Sequence, residues 1–538
     1  MRANLVTTLA VSSSIVCLSL LLTACAHVGG PQQAAASAAS MTRHYATKTL
    51  YAPQQDASTY APTPAGYKPV FTQLVARHGA RGLSGPGADL TAYNLFLDAQ
   101  ARGALTPLGQ RLGPDVMRML RANALLGHSP AGAGVPRARE PGYGNLSARG
   151  VYEHQGLATR MVARLPELFA PTLTPTNTRQ VIVQTSGVDR ARDSALNFVD
   201  ALLAATPRGT LALQSEATSG ATASLSGAGT HRFLLYFHRL NAKQDQSSGP
   251  DDSRHTTLQQ SLVYQKYLSD SVLRSRINAY RLEPDVQQVA RAMLTRLFSS
   301  DFVHAIERGS IAVHQGGEYT FTSDDGTLTR TVKSRASKGN LTLGLLDAAI
   351  ALYDLYAIAP GLRDELGVDF GDYVLPNHAA TFAFLSDAED FYEKGPAIRE
   401  DNPATFAMAH GLLADLFEHA TVASKRPSQH IATLRFTHAE IIAPLVSALA
   451  LPQHFTPEPR AGQFRHESNT WRGENVIPMA ANVQWDVYAN DSGHVIVRML
   501  FNERETQFKP SCDAARIGSA APGNFYDLLK LRACYSAN

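Results

Sequence analysis

Cysteine is scarce, with four in 538 residues, and two of them, Cys17 and Cys25, fall at the very start. Cys512 and Cys534 remain for the body, too few sulfur ligands for a structural zinc site. An excess of one charge is missing too. Lys and Arg number 49 against 46 Asp and Glu, a formal net charge of +3, which argues against a nucleic-acid binder; any cationic site has to be local. After the first apolar stretch no second run reads as long enough to cross a bilayer, so the remainder is expected to be soluble. Gly-x-Ser-x-Gly elbows, P-loops and His-Glu-x-x-His helices are absent, which removes the common hydrolase, nucleotide and zinc-protease readings. Ala131-Gly132-Ala133-Gly134 is Gly-rich but follows no strand, so it reads as a loop. What is present, 44% hydrophobic and 18% charged residues, is the profile of a globular chain, long enough for a large core with an inserted or second domain.

Met1 to Asn4 is a short positive start, Leu5 to Leu22 is apolar, and Leu22-Thr23-Ala24-Cys25 follows. An apolar residue, two small ones and a Cys resemble a bacterial lipobox, so residues 1–25 are expected to be a lipoprotein-type signal with Cys25 lipidated. A plain signal peptide with an incidental Cys is the alternative. The expected location is the cell envelope, with the membrane reached only through that N-terminal lipid. Residues 26–66, rich in Ala, Ser, Thr, Pro and Gln, read as a tether. In an exported chain Cys512 and Cys534 read as a disulfide.

Residues 69–75 form a short apolar run entering a polar turn, and 179–184 and 431–436 repeat that pattern, each followed by a helix, 192–205 and 439–449. Helical periodicity also covers 108–126 and 148–168. From 230 to 400 the chain reads as mainly helical, apart from a stretch around 310–334. Two alternating runs, 482–488 and 494–501, flank an Asn490-Asp491-Ser492-Gly493 turn. The fold class is therefore α/β: a mixed sheet flanked by helices, built from 67–229 and 401–538, with 230–400 as an inserted, mainly α-helical cap.

In such sheets ligands bind beyond the carboxyl ends of the strands, and three ends here carry charged groups. The first is Arg77-His78-Gly79-Ala80-Arg81: an imidazole between two guanidiniums, which suit phosphate oxygens and lower the imidazole pKa. A surface loop with solvated arginines is the plain alternative. The second runs from Thr185-Ser186 through Arg190 to Asp193-Ser194-Ala195, where Arg190 reaches the same rim or pairs with Asp193. The third is Thr437-His438-Ala439-Glu440, a phosphate donor and a proton donor, or else a core His with a capping Glu. Jointly the three ends present three Arg, two His and one acid.

These segments resemble the histidine acid phosphatases, branch two of the histidine phosphatase superfamily. The likeness is strongest to the multiple inositol polyphosphate phosphatases, whose proton-donor motif is His-Ala-Glu. Phe391-Tyr392-Glu393-Lys394-Gly395 and Leu500-Phe501-Asn502-Glu503 match the same subgroup. The resemblance implies the histidine phosphatase fold and a phosphohistidine formed on His78. It further implies phosphate held by Arg77, Arg81, Arg190 and His438, with Glu440 as acid and then base. It implies no metal and no cofactor, and a small-molecule phosphomonoester as substrate, inositol polyphosphate first. A sugar-phosphate or broad-specificity acid phosphatase is the alternative, and after it a non-catalytic phosphate-binding lipoprotein. An inositol polyphosphate would need extra cations from the cap, with Arg232, Arg239, Lys243, Arg335 and Lys338 as candidates. One departure stands out: where the family has Pro two residues after the second Arg, this chain has Arg81-Gly82-Leu83. The loop is therefore expected to be more flexible than in its relatives.

Overall fold

Strand β1, Tyr67–Arg77, is buried at every position from Phe71 onward, a pattern only a central strand tolerates. The computed structural model, which describes residues 43–128, 140–170, 179–215, 231–245, 249, 252–333, 344–401, 403–425, 429–518 and 523–537, places it there. The other strands are β2, Arg179–Thr185, β3, Leu211–Ser215, the pair β4, Glu318–Thr322, and β5, Thr329–Lys333, and β6, His430–Thr437. Then come β7, Asn482–Asn490, β8, Val495–Phe501, β9, Arg504–Thr506, and β10, Phe525–Asp527. The main sheet runs β10-β8-β7-β1-β6-β2-β3, with β9 beside β8. From β1 to β3 the pairs are parallel, and from β1 to β10 antiparallel, so the sheet is mixed as expected.

Side chains alternate across β1 with period two. Phe71 and Val75 join the core under the helices His410–Lys425 and Ala439–Ala448, whereas Leu74 and Ala76 join the one under Ala148–Arg164 and Asp189–Ala205. Register pairs Arg77 with Thr437 and Thr185 with Phe436. The three strands thus end level, and the residues after them emerge side by side.

A third core unites Leu90, Leu95, Val116 and Leu120 with Met293, Leu297, Leu352 and Phe382. The helices Gly87–Ala101 and Pro107–Leu125 thus pack with part of the 230–400 stretch, while Leu235, Phe237, Leu258 and Tyr280 of that stretch pack with Phe71 and Val75 of the sheet. The stretch around 310–334 is the β4–β5 hairpin. The apolar stretch Leu345–Leu366 is long enough to cross a membrane by length and composition, but 78% of its apolar window is buried inside the protein, where Leu345, Leu352 and Leu362 belong to the third core.

The tether expectation fails from residue 43 onward. Arg43–Asn538 form one unit, and Ala46, Thr47 and Tyr51 are buried. Tyr51 donates from its hydroxyl to Glu503 and from its amide to Glu153, both at 2.9 Å. Aromatic anchoring overrides the Ala/Pro/Thr composition on which the reading rested. Cys25, the 131–134 loop, Arg335 and Lys338 lie outside the described residues.

Cys512 and Cys534 are bonded across a sequence separation of 22, tying the C-terminal helix Leu528–Ser536 to the turn before it. Closing a loop of that length contributes about 3 kcal/mol through the unfolded chain. Replacing both Cys by Ser should lower unfolding free energy by about that amount in a denaturant titration; no loss would show that the tail is held by packing alone.

Candidate active site

The loop after β1 is held from behind by backbone contacts that leave room only for glycine. A Cβ on Gly79 would sit 2.6 Å from the Gly150 carbonyl oxygen, and one on Gly150 would sit 2.2 Å from that of Ala80. The Glu153 carboxylate accepts the Ala80 amide at 2.7 Å, and Ser194 Oγ accepts the Gly79 amide at 3.2 Å. Ser194 thus acts as more than a helix N-terminal residue. Inside this frame His78 is almost fully buried. Its Nδ1 lies 2.9 Å from the Gly79 carbonyl. A carbonyl can only accept, so Nδ1 carries the proton and Nε2 of the neutral ring keeps its lone pair.

His438 faces it, ring centroids 5.5 Å apart. Its Nε2 is 2.8 Å from Ser186 Oγ, while its buried Nδ1 has no partner. Arg190 makes no ion pair among the described residues. Asp193 and Asp189 are both taken by Arg192, at 3.2 and 3.0 Å, so the expected rival pairing of Arg190 with Asp193 does not occur. The Nε atoms of Arg77, Arg81 and Arg190 are all buried without partners. Arg77 is fixed by the carbonyls of Thr47, at 2.7 Å, and Ile477. Buried donors lacking acceptors are costly, and these three belong to the guanidiniums that act on His78, an arrangement suited to seating an anion.

Electrostatics agree with the geometry. His78 is held well below its ordinary pKa by burial and then by Arg190, Arg77 and Arg81. His438 is lowered by burial and Arg190. Burial brings Arg77 to about 10 and Arg81 to about 9, the latter with help from Arg190 and Arg77; both stay cationic at neutral pH. Burial alone would raise Glu440, but Lys394, His238 and His438 outweigh it and hold the carboxyl well below its usual range.

All six expected site residues, Arg77, His78, Arg81, Arg190, His438 and Glu440, therefore meet at one rim. Four others join them unforeseen. His238 and Tyr236 meet edge to face, ring centroids 4.6 Å apart, and both abut His438. Lys394, bonded to Asp390 at 2.7 Å, stands beside Glu440. Lys48, from the supposed tether, is lowered to about 8 by burial and the neighbouring Arg81 and Arg77. Lys394 lies in the Phe391–Gly395 motif, so its signal was there to read; Lys48 and His238 carry none.

Beyond Arg81 opens a cleft of about 950 Å³, lined by Lys48, Arg81, Leu83, Tyr143, Arg330, Lys333 and Asp354 among others. Of the cap cations expected from sequence, Arg232 is not available, being bonded to Asp245 at 2.6 Å and lying over Tyr236. Arg239 comes close enough to act on Arg190. Lys243 is exposed. The cleft draws its cations instead from Lys48 and the β4–β5 hairpin.

The model of the histidine phosphatase superfamily (branch 2) matches residues 70–502. The chain belongs to that family. It is a phosphatase acting on phosphomonoesters. Among solved structures it is similar to a Bifidobacterium longum multiple inositol polyphosphate phosphatase. In complex with inositol hexasulfate that protein is 28% identical with a TM-score of 0.75, and in complex with phosphate 28% identical with a TM-score of 0.76. Each alignment covers 92% of this chain and 98% of the other. The D. castellii phytase shares the fold at 15% identity and a TM-score of 0.56, over 95% of this phosphatase and 88% of its own chain. A search of curated proteins by sequence found no match.

Proposed function

We propose that this phosphatase hydrolyses inositol polyphosphates through a phosphohistidine on His78. The observation that carries the mechanism is the His78 tautomer, fixed by the Gly79 carbonyl so that the Nε2 lone pair is free. That nitrogen attacks phosphorus in line, the P–O bond to the alcohol breaks, and the alkoxide leaves with a proton from Glu440. Glu440, now a carboxylate, takes a proton from water, which attacks the phosphohistidine and returns His78 with inorganic phosphate. Arg77, Arg81, Arg190 and His438 hold the phosphoryl oxygens and offset the charge that develops on them.

The substrate class rests on the cleft beside Arg81. Lys48 faces it, and so do Arg330 and Lys333. The last two are paired with Glu140 and Glu318 at 3.1 and 2.9 Å, but partly exposed pairs of this kind are weak and yield to a phosphate. A substrate with several phosphates satisfies both the cup and the cleft, whereas a single phosphate uses only the cup. Phosphate release from inositol hexakisphosphate, a sugar phosphate and a nucleotide tests this; kcat/KM should be highest for the first, and equal values would leave a broad-specificity enzyme. Export through Cys25 is proposed from the N-terminal sequence alone, and labelling with a radioactive fatty acid, lost in Cys25→Ala, checks it.

A pH profile follows from His78. Its ordinary pKa of 6.5 is depressed, so the neutral nucleophile persists as pH falls through that value. On p-nitrophenyl phosphate, kcat/KM, which reports the free enzyme, should show no acid-side loss near 6.5. A limb there would mean that His78 titrates as an exposed imidazole does.

A further inference from the structure

Gly82-Leu83, where the family carries its Pro-containing motif end, does not loosen the loop. The Gly82 amide donates to the Asn145 carbonyl at 3.1 Å, and the Leu83 amide donates to Asn123 Oδ1 at 2.9 Å. A Cβ on Gly82 would lie 2.5 Å from that same Asn123 oxygen, so glycine is what lets the helix Pro107–Leu125 come close enough to hold the loop. Asn123 in turn donates from Nδ2 to the Asp89 carboxylate at 3.3 Å, and Tyr143 donates its hydroxyl to the same Asp89 oxygen at 2.7 Å. Asp89 and Asn123 are fully buried, and neither lines the cleft. Leu83 and Tyr143 both do, along with Ser84, Gly85, Pro86 and Gly87 between them. One carboxyl thus ties two parts of the cleft's lining together: Tyr143 directly, and the Leu83–Gly87 stretch through Asn123.

We propose that Asp89 and Asn123 are positioning residues for substrate specificity, a clamp that fixes the width of the cleft beyond the phosphate cup. The clamp replaces the stiffness that a proline would give the loop. It bears mainly on the part of a substrate that extends past Arg81, because the loop from His78 to Ala80 is held separately by Glu153, Ser194 and Gly150. Arg81 is the cup residue that the clamp meets, its guanidinium donating to the Gly82 carbonyl at 2.5 Å, while the Arg81 backbone is held by its own bridge to Leu146. Asp89, raised to about 7 by burial, need not be charged for this role, since one oxygen takes both donors and the other has no partner. An amide keeps that acceptor but leaves its own NH2 buried without a partner, at a cost in stability.

This inference rests on the inositol polyphosphate reading, and its test separates the two. Steady-state constants would be measured for p-nitrophenyl phosphate, which fills only the cup, and inositol hexakisphosphate, which also fills the cleft. Asn123→Ala and Asp89→Ala should raise KM for the hexakisphosphate on the order of ten-fold or more, with kcat and both aryl constants within about two-fold, as expected when a misplaced wall removes binding but not chemistry. Asp89→Asn, which keeps the acceptor for both donors, should shift KM for the hexakisphosphate less than Asp89→Ala does, although its buried NH2 lowers stability in a denaturant titration. Should either alanine variant fail to fold, Tyr143→Phe removes one arm of the clamp while keeping the ring, and should give a smaller shift in the same direction. Equal losses on both substrates, or no shift on either, would overturn the clamp. Poor turnover of the hexakisphosphate by the parent chain would overturn the substrate reading instead, and the clamp would then be read from the same variant-to-parent ratio on the largest ester that the parent accepts.

Discussion

His78→Ala should abolish turnover, by about 10⁴-fold or more, on every phosphomonoester the enzyme accepts, because it removes the imidazole whose Nε2 lone pair the Gly79 carbonyl sets free by holding the proton on Nδ1. The fold should survive, since the ring is held by one hydrogen bond to its neighbour's carbonyl and the loop by contacts that do not involve it. Inorganic phosphate should still bind within about ten-fold of the parent affinity, for Arg77, Arg81, Arg190 and His438 remain in place. That pairing of lost turnover with kept binding separates a nucleophile from a structural residue. Phosphate release continuing at parental rate would show that His78 is not the nucleophile and that hydrolysis does not pass through a phosphohistidine at this position. In the parent, acid-labile, base-stable phosphate on the protein after a rapid quench would identify the intermediate directly.

Glu440→Gln should slow substrates with poor leaving groups, such as inositol phosphates, by about 10²–10⁴-fold, and activated aryl phosphates far less. An aryl oxide departs without a proton; an alkoxide does not. In the free enzyme Glu440 is ionised, held down chiefly by Lys394, and an ionised carboxyl cannot serve as the acid. On the proposed mechanism an incoming phosphate would offset the surrounding cations and lift the carboxyl, so that the proton donor would form as substrate binds. Equal losses on both substrate classes would show that Glu440 is not the acid and that its effect is electrostatic.

The strands were the most legible part of the sequence. β1, β2 and β6 are short apolar runs that end abruptly in polar residues, and burial on both faces gives such runs their composition. The helix Gly87–Ala101 passed unread because Asp89, Thr91 and Asn94 are buried beside Leu90 and Leu95, which erases the amphipathic stripe. The site was legible because its six residues sit within three short motifs. The cations of the cleft were not, since Lys48 and the β4–β5 hairpin reach Arg81 only through tertiary packing. The flexible loop expected at Gly82 failed for the same reason: its brace is Asn123, 41 positions further along the chain (123 − 82). A glycine read without its neighbour looks like slack, and here it is a point of close contact.

Thr47 and Lys48 have a practical consequence for how the enzyme can be shortened. Residues 43–66 look dispensable by composition, and a recombinant boundary at Tyr67 would keep every strand of the sheet. Such a protein would nonetheless lack the carbonyl that steadies the Arg77 guanidinium and a cation at the cleft. A start at or before Arg43 keeps both, so the two truncations would differ in catalysis although their sheets are identical.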